Sequence, residues 1–405
     1  MNSAAAVTTL GALDYLVIVL YGVILLGLGV WSRFTRKQNT EEYLLARHSM
    51  HYLVVALAVF ATLFSTISFV SSPGEAYNFG LVMMLGSVGY IVVLPLAIRL
   101  FLRFFFNAPT FTAYEYLERR FDRKCRIMAA AIFLVIRLFY TASVFYAATI
   151  IFQTMLGWPP EGTMLIIGTV TVIYACMGGV RAVILADVIQ SVIIVCGITA
   201  ILFRLLQATG FDLSGVFAFA HEHNRLFEPM AQPEFYRFNF QDRYNLYLLV
   251  IGTALAPLVS MSCDQMVIQR LLAGKNYRQA VRSTYLNYLI GLPVVVMLFA
   301  IGLFLFYHYN AGTLRLPEGV SGDQALGYFV ATELPAPLPG IIVTALLSAL
   351  MSTVAGAVNS LVTVLMKDVI VLFNPALAGT AREVDWCRRL TVVGEIGRAS
   401  CRERV

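Results

Sequence analysis

Nine long apolar runs constrain the fold of this chain more than any other feature. Each is close to or above the roughly 20 residues that an α-helix needs to cross the hydrocarbon core of a bilayer. They cover residues 13–32, 51–73, 80–104, 127–152, 160–177, 182–205, 245–268, 284–308 and 338–372. Of the 405 residues 59% are hydrophobic and only 13% charged, a balance foreign to soluble domains. The sequence therefore predicts an all-α integral membrane protein that spans a lipid bilayer.

The basic residues predict the orientation of these spans. No Lys or Arg precedes the first run, whereas Arg33, Arg36 and Lys37 follow it directly. This flank order favours a retained first helix, not a cleaved signal, and an N-terminus outside the cell. Alternation from there places 20 of the 29 Lys and Arg residues in or beside inner loops and 5 in or beside outer ones. We expect a multi-pass protein of the plasma or inner membrane, and the net charge of +6 gives no support for a nucleic-acid partner.

The chemistry-bearing residues argue against an enzyme. The histidines all fall in loops or at span ends, at positions 48, 51, 221, 223 and 308. The six cysteines form neither a disulfide nor a zinc pattern. We find no paired carboxylates and no nucleophile with an adjacent base, and we predict no catalytic residue.

Two spans are rich in hydroxyl groups. FATLFSTISFV, residues 60–70, contains Thr62, Ser65, Thr66 and Ser68 without a charge, and LLSALMSTVAGAVNSLVT lies in the last span. A sodium ion needs oxygen ligands, and neutral oxygens from hydroxyls and from carbonyls of an interrupted helix suit a site that must load and unload. The alternative is that each hydroxyl bonds to the carbonyl one turn earlier.

A third span provides a counterpart to the first hydroxyl-rich one. IGTALAPLVSMSCDQMVIQR, residues 251–270, has Gly252 and Pro257 inside a helix and Asp264 and Gln265 toward its inner end. It lies five spans after the 60–70 stretch. Gly/Pro-interrupted spans at corresponding positions of two halves indicate a transport site between them.

Five ordered motifs resemble the sodium:solute symporter family over residues 14–368. They are FATLFSTISFVSSPGEAYNFG, TAYEYLERRFD, YACMGGVRAVILADVIQ, SCDQMVIQR and ALLSALMSTVAGAVNS. The resemblance implies a LeuT-like five-plus-five inverted-repeat fold with one extra N-terminal helix and an incomplete second repeat. It also implies a sodium-coupled secondary active transporter of a small organic solute that works by alternating access. The alternative is a transporter-like membrane sensor whose signalling domain is missing.

The C-terminal string EIGRASCRERV resembles a translated sequencing adapter. We therefore expect residues 1–394 to form a single transmembrane transporter domain and residues 395–405 to be non-native. On this interpretation the natural chain is longer, and we expect the fragment not to transport by itself. The oligomeric state and the identity of the solute stay open.

The resemblance also implies a sodium site. The principal site of the family uses two carbonyls of the first core helix together with one carbonyl and two hydroxyls of the eighth. The matching positions here are the carbonyls of Ala61, Phe64 and Ala349 and the hydroxyls of Ser352 and Thr353.

Some family members hold a second sodium ion with an Asp of the fifth core helix and further hydroxyls. The Asp matches Asp187, but the hydroxyl positions are Ala355 and Gly356, which have no side-chain oxygen. A possible second sodium at Asp187 is therefore in doubt. The alternative is a structural acid that pairs with Arg181 or caps a helix.

The resemblance places the solute at mid-membrane beside the broken helices. Its candidate ligands are Leu63, Ser65, Thr66, Ser68, Met83 and Ser87. Sialic acid transporters also offer an Arg of the third core helix, and here Arg137 lies two or three positions before the matching residue. An intramembrane Arg indicates a functional site, so we expect Arg137 to bind the solute. The alternative is that Arg137 faces an acid or carbonyls elsewhere in the bundle.

Overall fold

A computed structural model describes residues 10–35, 39–107, 110–239, 241–242, 244–312 and 314–400. Side chains are described for these ranges except at positions 35, 154 and 393–400. The predicted non-native tail, residues 395–405, lies outside the described side chains. Helices account for most of the described chain, which contains no β-strand. The all-α expectation is confirmed.

The described residues form 17 α-helices. The first nine are α1 (Ala12–Thr35), α2 (Thr40–Leu45), α3 (Tyr52–Leu63), α4 (Thr66–Phe79), α5 (Gly86–Ala97), α6 (Arg103–Asn107), α7 (Ala113–Arg120), α8 (Arg123–Leu156) and α9 (Pro160–Ala208). The others are α10 (Leu213–Glu222), α11 (Leu246–Ser262), α12 (Gln265–Leu272), α13 (Tyr277–Asn310), α14 (Ala325–Glu333), α15 (Leu338–Val364), α16 (Val371–Phe373) and α17 (Ala381–Ser400).

Eight helical segments of the described chain account for the nine predicted spans. Six are single helices or helical runs long and apolar enough to cross a bilayer. Two are pairs bent at a break, α3 with α4 by 66° and α11 with α12 by 58°. The 49 residues of α9 contain two predicted spans, because the segment changes direction within its length and has enough residues for two crossings of about 20 each.

Gly179 marks the point at which α9 changes direction. Its backbone has φ 59° and ψ −158°, a conformation essentially restricted to glycine. A Cβ atom there would lie 2.6 Å from the carbonyl oxygen of Tyr43. The two predicted spans, 160–177 and 182–205, therefore lie on either side of this residue.

The helix α15 forms the centre of the bundle. In the span that contains α15, 94% of the apolar stretch is buried inside the protein. The corresponding shares are 17% for the span of α8 and 22% for that of α1. It packs against α9, α1, α8 and α3. The many Ala, Gly and Ser residues of α15 let neighbouring backbones approach closely, as is usual for helix contacts in membranes. The last hydroxyl-rich stretch therefore faces protein on all sides.

Candidate functional site

The break between α3 and α4 exposes backbone carbonyls inside the bundle. Phe64 and Ser65 have extended backbone conformations, with ψ angles of 107° and 156°. The hydroxyl of Ser65 accepts the N–H of Ser68 at 3.2 Å and so begins α4 as an N-cap. The helical hydrogen bonds of α3 end at the N–H of Phe64, and those of α4 begin at the carbonyl of Ser65. In this described segment the carbonyls of residues 61–64 accept no helical hydrogen bond.

The second break lies between α11 and α12. Cys263 leaves the helical conformation, and the carboxylate of Asp264 accepts the N–H of Met266 at 3.0 Å to begin α12. The sequence-based expectation that Gly252 and Pro257 interrupt this span is wrong, because α11 continues through both. A new N-cap starts the second helix, and the interruption lies nearer the inner end than predicted.

A buried carboxylate joins the two broken helices to α9 and α15. The Oδ1 atom of Asp187 accepts the hydroxyl of Ser352 at 2.6 Å. Its Oδ2 atom accepts Nε and Nη2 of Arg270 at 3.1 and 2.9 Å and the hydroxyl of Thr62 at 3.4 Å. None of these four residues is more than 2% exposed. Ser352 of α15 and Thr62 near the end of α3 thus donate to the same carboxylate group.

The pairing of Asp187 with Arg181, the alternative expected from the sequence, is wrong. Arg181 does not pair with Asp187; its Nη1 atom contacts Glu42 Oε1 at 3.3 Å. The partner is Arg270, to which the sequence analysis gave no role although it lies in the motif SCDQMVIQR. Its charge at the end of an apolar run was a signal for a functional or paired site.

The guanidinium of Arg270 lies against Gly356. A Cβ atom at Gly356 would be 2.8 Å from Nη2 and 3.1 Å from Nη1 of Arg270. Ala355, the other position that lacks the expected hydroxyl, is fully buried. The Arg270 side chain therefore occupies the space next to Asp187. In family members with a second sodium ion, hydroxyl ligands at positions 355 and 356 were expected to face this space.

All five predicted sodium-site residues are buried. Ala61, Ala349 and Ser352 are 0% exposed, Thr353 is 1% and Phe64 is 8% exposed. The Thr353 hydroxyl has no hydrogen-bond partner among the described residues. Buried polar atoms are nearly always hydrogen-bonded. An unpaired hydroxyl on the helix that packs against α3 and α4 is therefore a candidate cation ligand.

The predicted solute residues of α4 are partly occupied by contacts within the protein. The hydroxyls of Ser65 and Ser68 lie 3.1 Å apart. Thr66 is fully buried and donates to the carbonyl of Leu346 at 3.2 Å, which ties α4 to α15.

The other predicted solute residues differ in exposure. Leu63 is 39% exposed and Met83 is 51% exposed. The hydroxyl of Ser87 donates to the carbonyl of Met84, one turn earlier in the chain. This is the local bond that membrane hydroxyls form when they bind no ligand. The apolar side chains, more than the hydroxyls, present open surface.

Arg137 contacts the second break. Its Nη2 atom lies 2.5 Å from Oδ1 of Asp264, and its guanidinium lies 5.5 and 5.4 Å from the ring centres of Phe133 and Tyr140. The alternative that Arg137 faces an acid is therefore what the structure shows. The pair is not fully buried, because the side chain of Arg137 is 11% exposed and that of Asp264 is 20% exposed.

Comparison with known proteins identifies the class. The model of the sodium:solute symporter family matches residues 43–396, and the chain belongs to this family. It is a membrane transporter of the sodium-coupled class and not an enzyme. Among the described residues no group of three His, Cys, Asp or Glu side chains is arranged to hold a metal ion.

The relatives include transporters for different solutes. The chain is 28% identical to the sodium/sialic acid symporter SiaT of Proteus mirabilis, over 89% of this chain and 71% of that protein. It is 27% identical to the human sodium-coupled monocarboxylate transporter 1, over 95% of this chain and 63% of that protein. A solved substrate-bound, outward-open Na⁺-coupled sialic acid symporter superimposes with a TM-score of 0.89 at 25% identity. That alignment covers 96% of this chain and 80% of the other. The LeuT-like fold is confirmed.

Proposed function

We propose that this transporter couples solute movement to one sodium ion bound where α15 meets the break between α3 and α4. The carbonyls of Ala61, Phe64 and Ala349 and the hydroxyls of Ser352 and Thr353 are its ligands. The orphaned Thr353 hydroxyl is the observation that carries the proposal. Five neutral oxygens from two helices bind a cation without holding it too tightly for release.

The solute lies beside the two breaks, because irregular backbone inside a membrane protein is tolerated only where it is buried in protein or lines a water-filled cavity. We assign to its binding surface Leu63, Ser65, Thr66, Ser68, Met83, Ser87 and Arg137. Thr66 contributes by holding α4 against α15, since its hydroxyl is already bonded to Leu346.

The charges around the site favour a small organic carboxylate as the solute. The charges beside the two breaks are already paired, Asp187 with Arg270 and Arg137 with Asp264. A bound sodium ion therefore brings an uncompensated positive charge into a medium of low dielectric constant, and one carboxylate balances it. Sialic acid and monocarboxylates are named as the solutes of two relatives, which agrees with this class.

The N-terminus lies outside and the basic loops lie inside. Arg33 follows the first span, and the positive-inside distribution of the sequence supports this orientation. We place the transporter in the plasma or inner membrane, where it alternates between states open to either side. For one sodium ion moving with one carboxylate the membrane potential does no net work, so the sodium gradient drives uptake, and a tenfold gradient contributes about 1.4 kcal/mol.

Thr353→Ala tests the sodium site. We expect the affinity for ²²Na⁺, measured on purified protein in detergent, to fall tenfold or more, which equals about 1.4 kcal/mol. Thr353→Ser retains the hydroxyl and should retain affinity. Thr344→Ala removes a buried hydroxyl of the same helix that is bonded to Gly340, and serves as the matched control. Unchanged sodium affinity in Thr353→Ala contradicts the assignment.

Asp264→Asn tests the solute class. Asparagine still caps α12, but it no longer neutralises Arg137. We expect affinity for carboxylate solutes to rise several-fold in Asp264→Asn and to fall in Arg137→Gln, with neutral amide analogues unaffected in both. Sodium-driven uptake of a monocarboxylate by the complete protein in proteoliposomes should also be insensitive to membrane potential, because one cation and one anion move together. Potential-driven uptake of a neutral solute would rule out the carboxylate class.

A further inference from the structure

The space beside Asp187 contains a cation that belongs to the protein. Arg270 donates Nε and Nη2 to Oδ2 of Asp187 at 3.1 and 2.9 Å, and Nη1 to the carbonyl of Met266 at 3.2 Å. The Arg270 side chain is 3% exposed and that of Asp187 is 0% exposed. The guanidinium is thus fixed from two sides, by the acid of α9 and by its own helix α12.

The surrounding groups suit a guanidinium and not a second metal ion. Ala355 and Gly356, on the facing part of α15, offer no side-chain oxygen. Glycine at position 356 also leaves room for the guanidinium, because a Cβ atom there would lie 2.8 Å from Nη2 and one of the two groups would have to shift. With Arg270 in place, a metal ion at Asp187 would put two positive charges against one carboxylate in a low-dielectric interior.

We infer that the Arg270 guanidinium is a tethered cation that replaces a second sodium ion at Asp187. This inference rests on the proposed function for the transported ion at Ser352 and Thr353. Arg270 is a positioning residue: it fixes Asp187, and Asp187 accepts the hydroxyl hydrogen of Ser352 at 2.6 Å. The lone pairs of Ser352 then stay available for the transported sodium. The pair of Asp187 and Arg270 therefore orients a sodium ligand without binding the sodium ion itself.

The number of sodium sites tests the inference. Equilibrium binding of ²²Na⁺ is measured on the purified full chain in sodium-free detergent. We expect one site per chain in the wild type, with no cooperativity. The double variant Arg270→Met/Gly356→Ser removes the tethered charge and adds a hydroxyl opposite Asp187, and should gain one site. Adding Asp187→Asn to that background should abolish the gain.

Conservative variants keep the test decisive if the double variant does not fold. Arg270→Lys retains a cation and should keep one site. The charge-neutral variant Asp187→Asn/Arg270→Gln retains hydrogen-bonding amides and should also keep one. The inference is overturned if the wild type has two sites and Asp187→Asn removes one, if Arg270→Lys gains a site, or if the folded double variant gains none.

The same measurements separate this inference from the proposed function. Loss of the wild-type site in Thr353→Ala reports on the transported ion alone. The gain of a site on removal of Arg270 reports on the tethered cation, even if the wild type binds no sodium. A wild type that binds no sodium would therefore refute the proposed site, while a gained site in the double variant would still support the role of Arg270.

Discussion

Removing the charge of Asp187 should destabilise the folded protein strongly. Asp187→Asn leaves the guanidinium of Arg270 buried and without a counter-ion, since its side chain is 3% exposed. Breaking a buried ion pair by removing one partner costs about 3–5 kcal/mol. We expect a loss of this size in the free energy of unfolding, measured by titration with sodium dodecyl sulfate in mixed micelles and followed by circular dichroism. The buffer is free of sodium, so that ion binding does not contribute to the measured stability.

The double variant Asp187→Asn/Arg270→Gln should recover about 2 kcal/mol of this loss, because neither charge is then left alone. Asp385→Asn is the control, since Asp385 pairs with Arg388 at 3.4 Å but has a side chain that is 62% exposed. Exposed pairs contribute at most about 1 kcal/mol. A cost below about 1 kcal/mol for Asp187→Asn, or a double variant less stable than either single variant, would refute the reasoning.

Three further substitutions test packing and charge pairing within the bundle by the same unfolding measurement. Gly356→Ala places a Cβ atom against the fixed guanidinium of Arg270 and should cost about 1–3 kcal/mol; a neutral effect would show that the arginine moves freely. Gly179→Ala forces φ of +59° on an alanine and should cost at least about 1–3 kcal/mol, with retained stability arguing against the kink in α9. Arg126→Gln leaves Asp368, fully buried and 2.7 Å from the Arg126 Nε atom, without its counter-ion, and should cost about 3–5 kcal/mol. A loss near zero there would place Asp368 in contact with solvent.

Much of the bundle could be predicted from the sequence because membrane spans depend on local composition. A run of about 20 apolar residues must form a helix in lipid, since no water is present to bond its backbone. An interrupted helix in the hydroxyl-rich stretch 60–70 was also expected, and in the structure Ser65 begins α4 as its N-cap. The break of the second helix pair was placed too early, since Pro257 fits within α11 and Asp264 begins the next helix.

The sequence by itself determined the spans, the family motifs and the hydroxyl-bearing positions, because each of these depends on residues close together in the chain. Tertiary structure alone decided which charges meet. Asp187 and Arg270 are 83 positions apart, and their pairing depends on how α9, α12 and α15 are rotated and packed. Arg181, only six positions from Asp187, is turned to Glu42 instead. Coulomb attraction in a low-dielectric interior acts over a few ångströms of space and not over sequence distance, so only the packed bundle shows which partner each buried charge has.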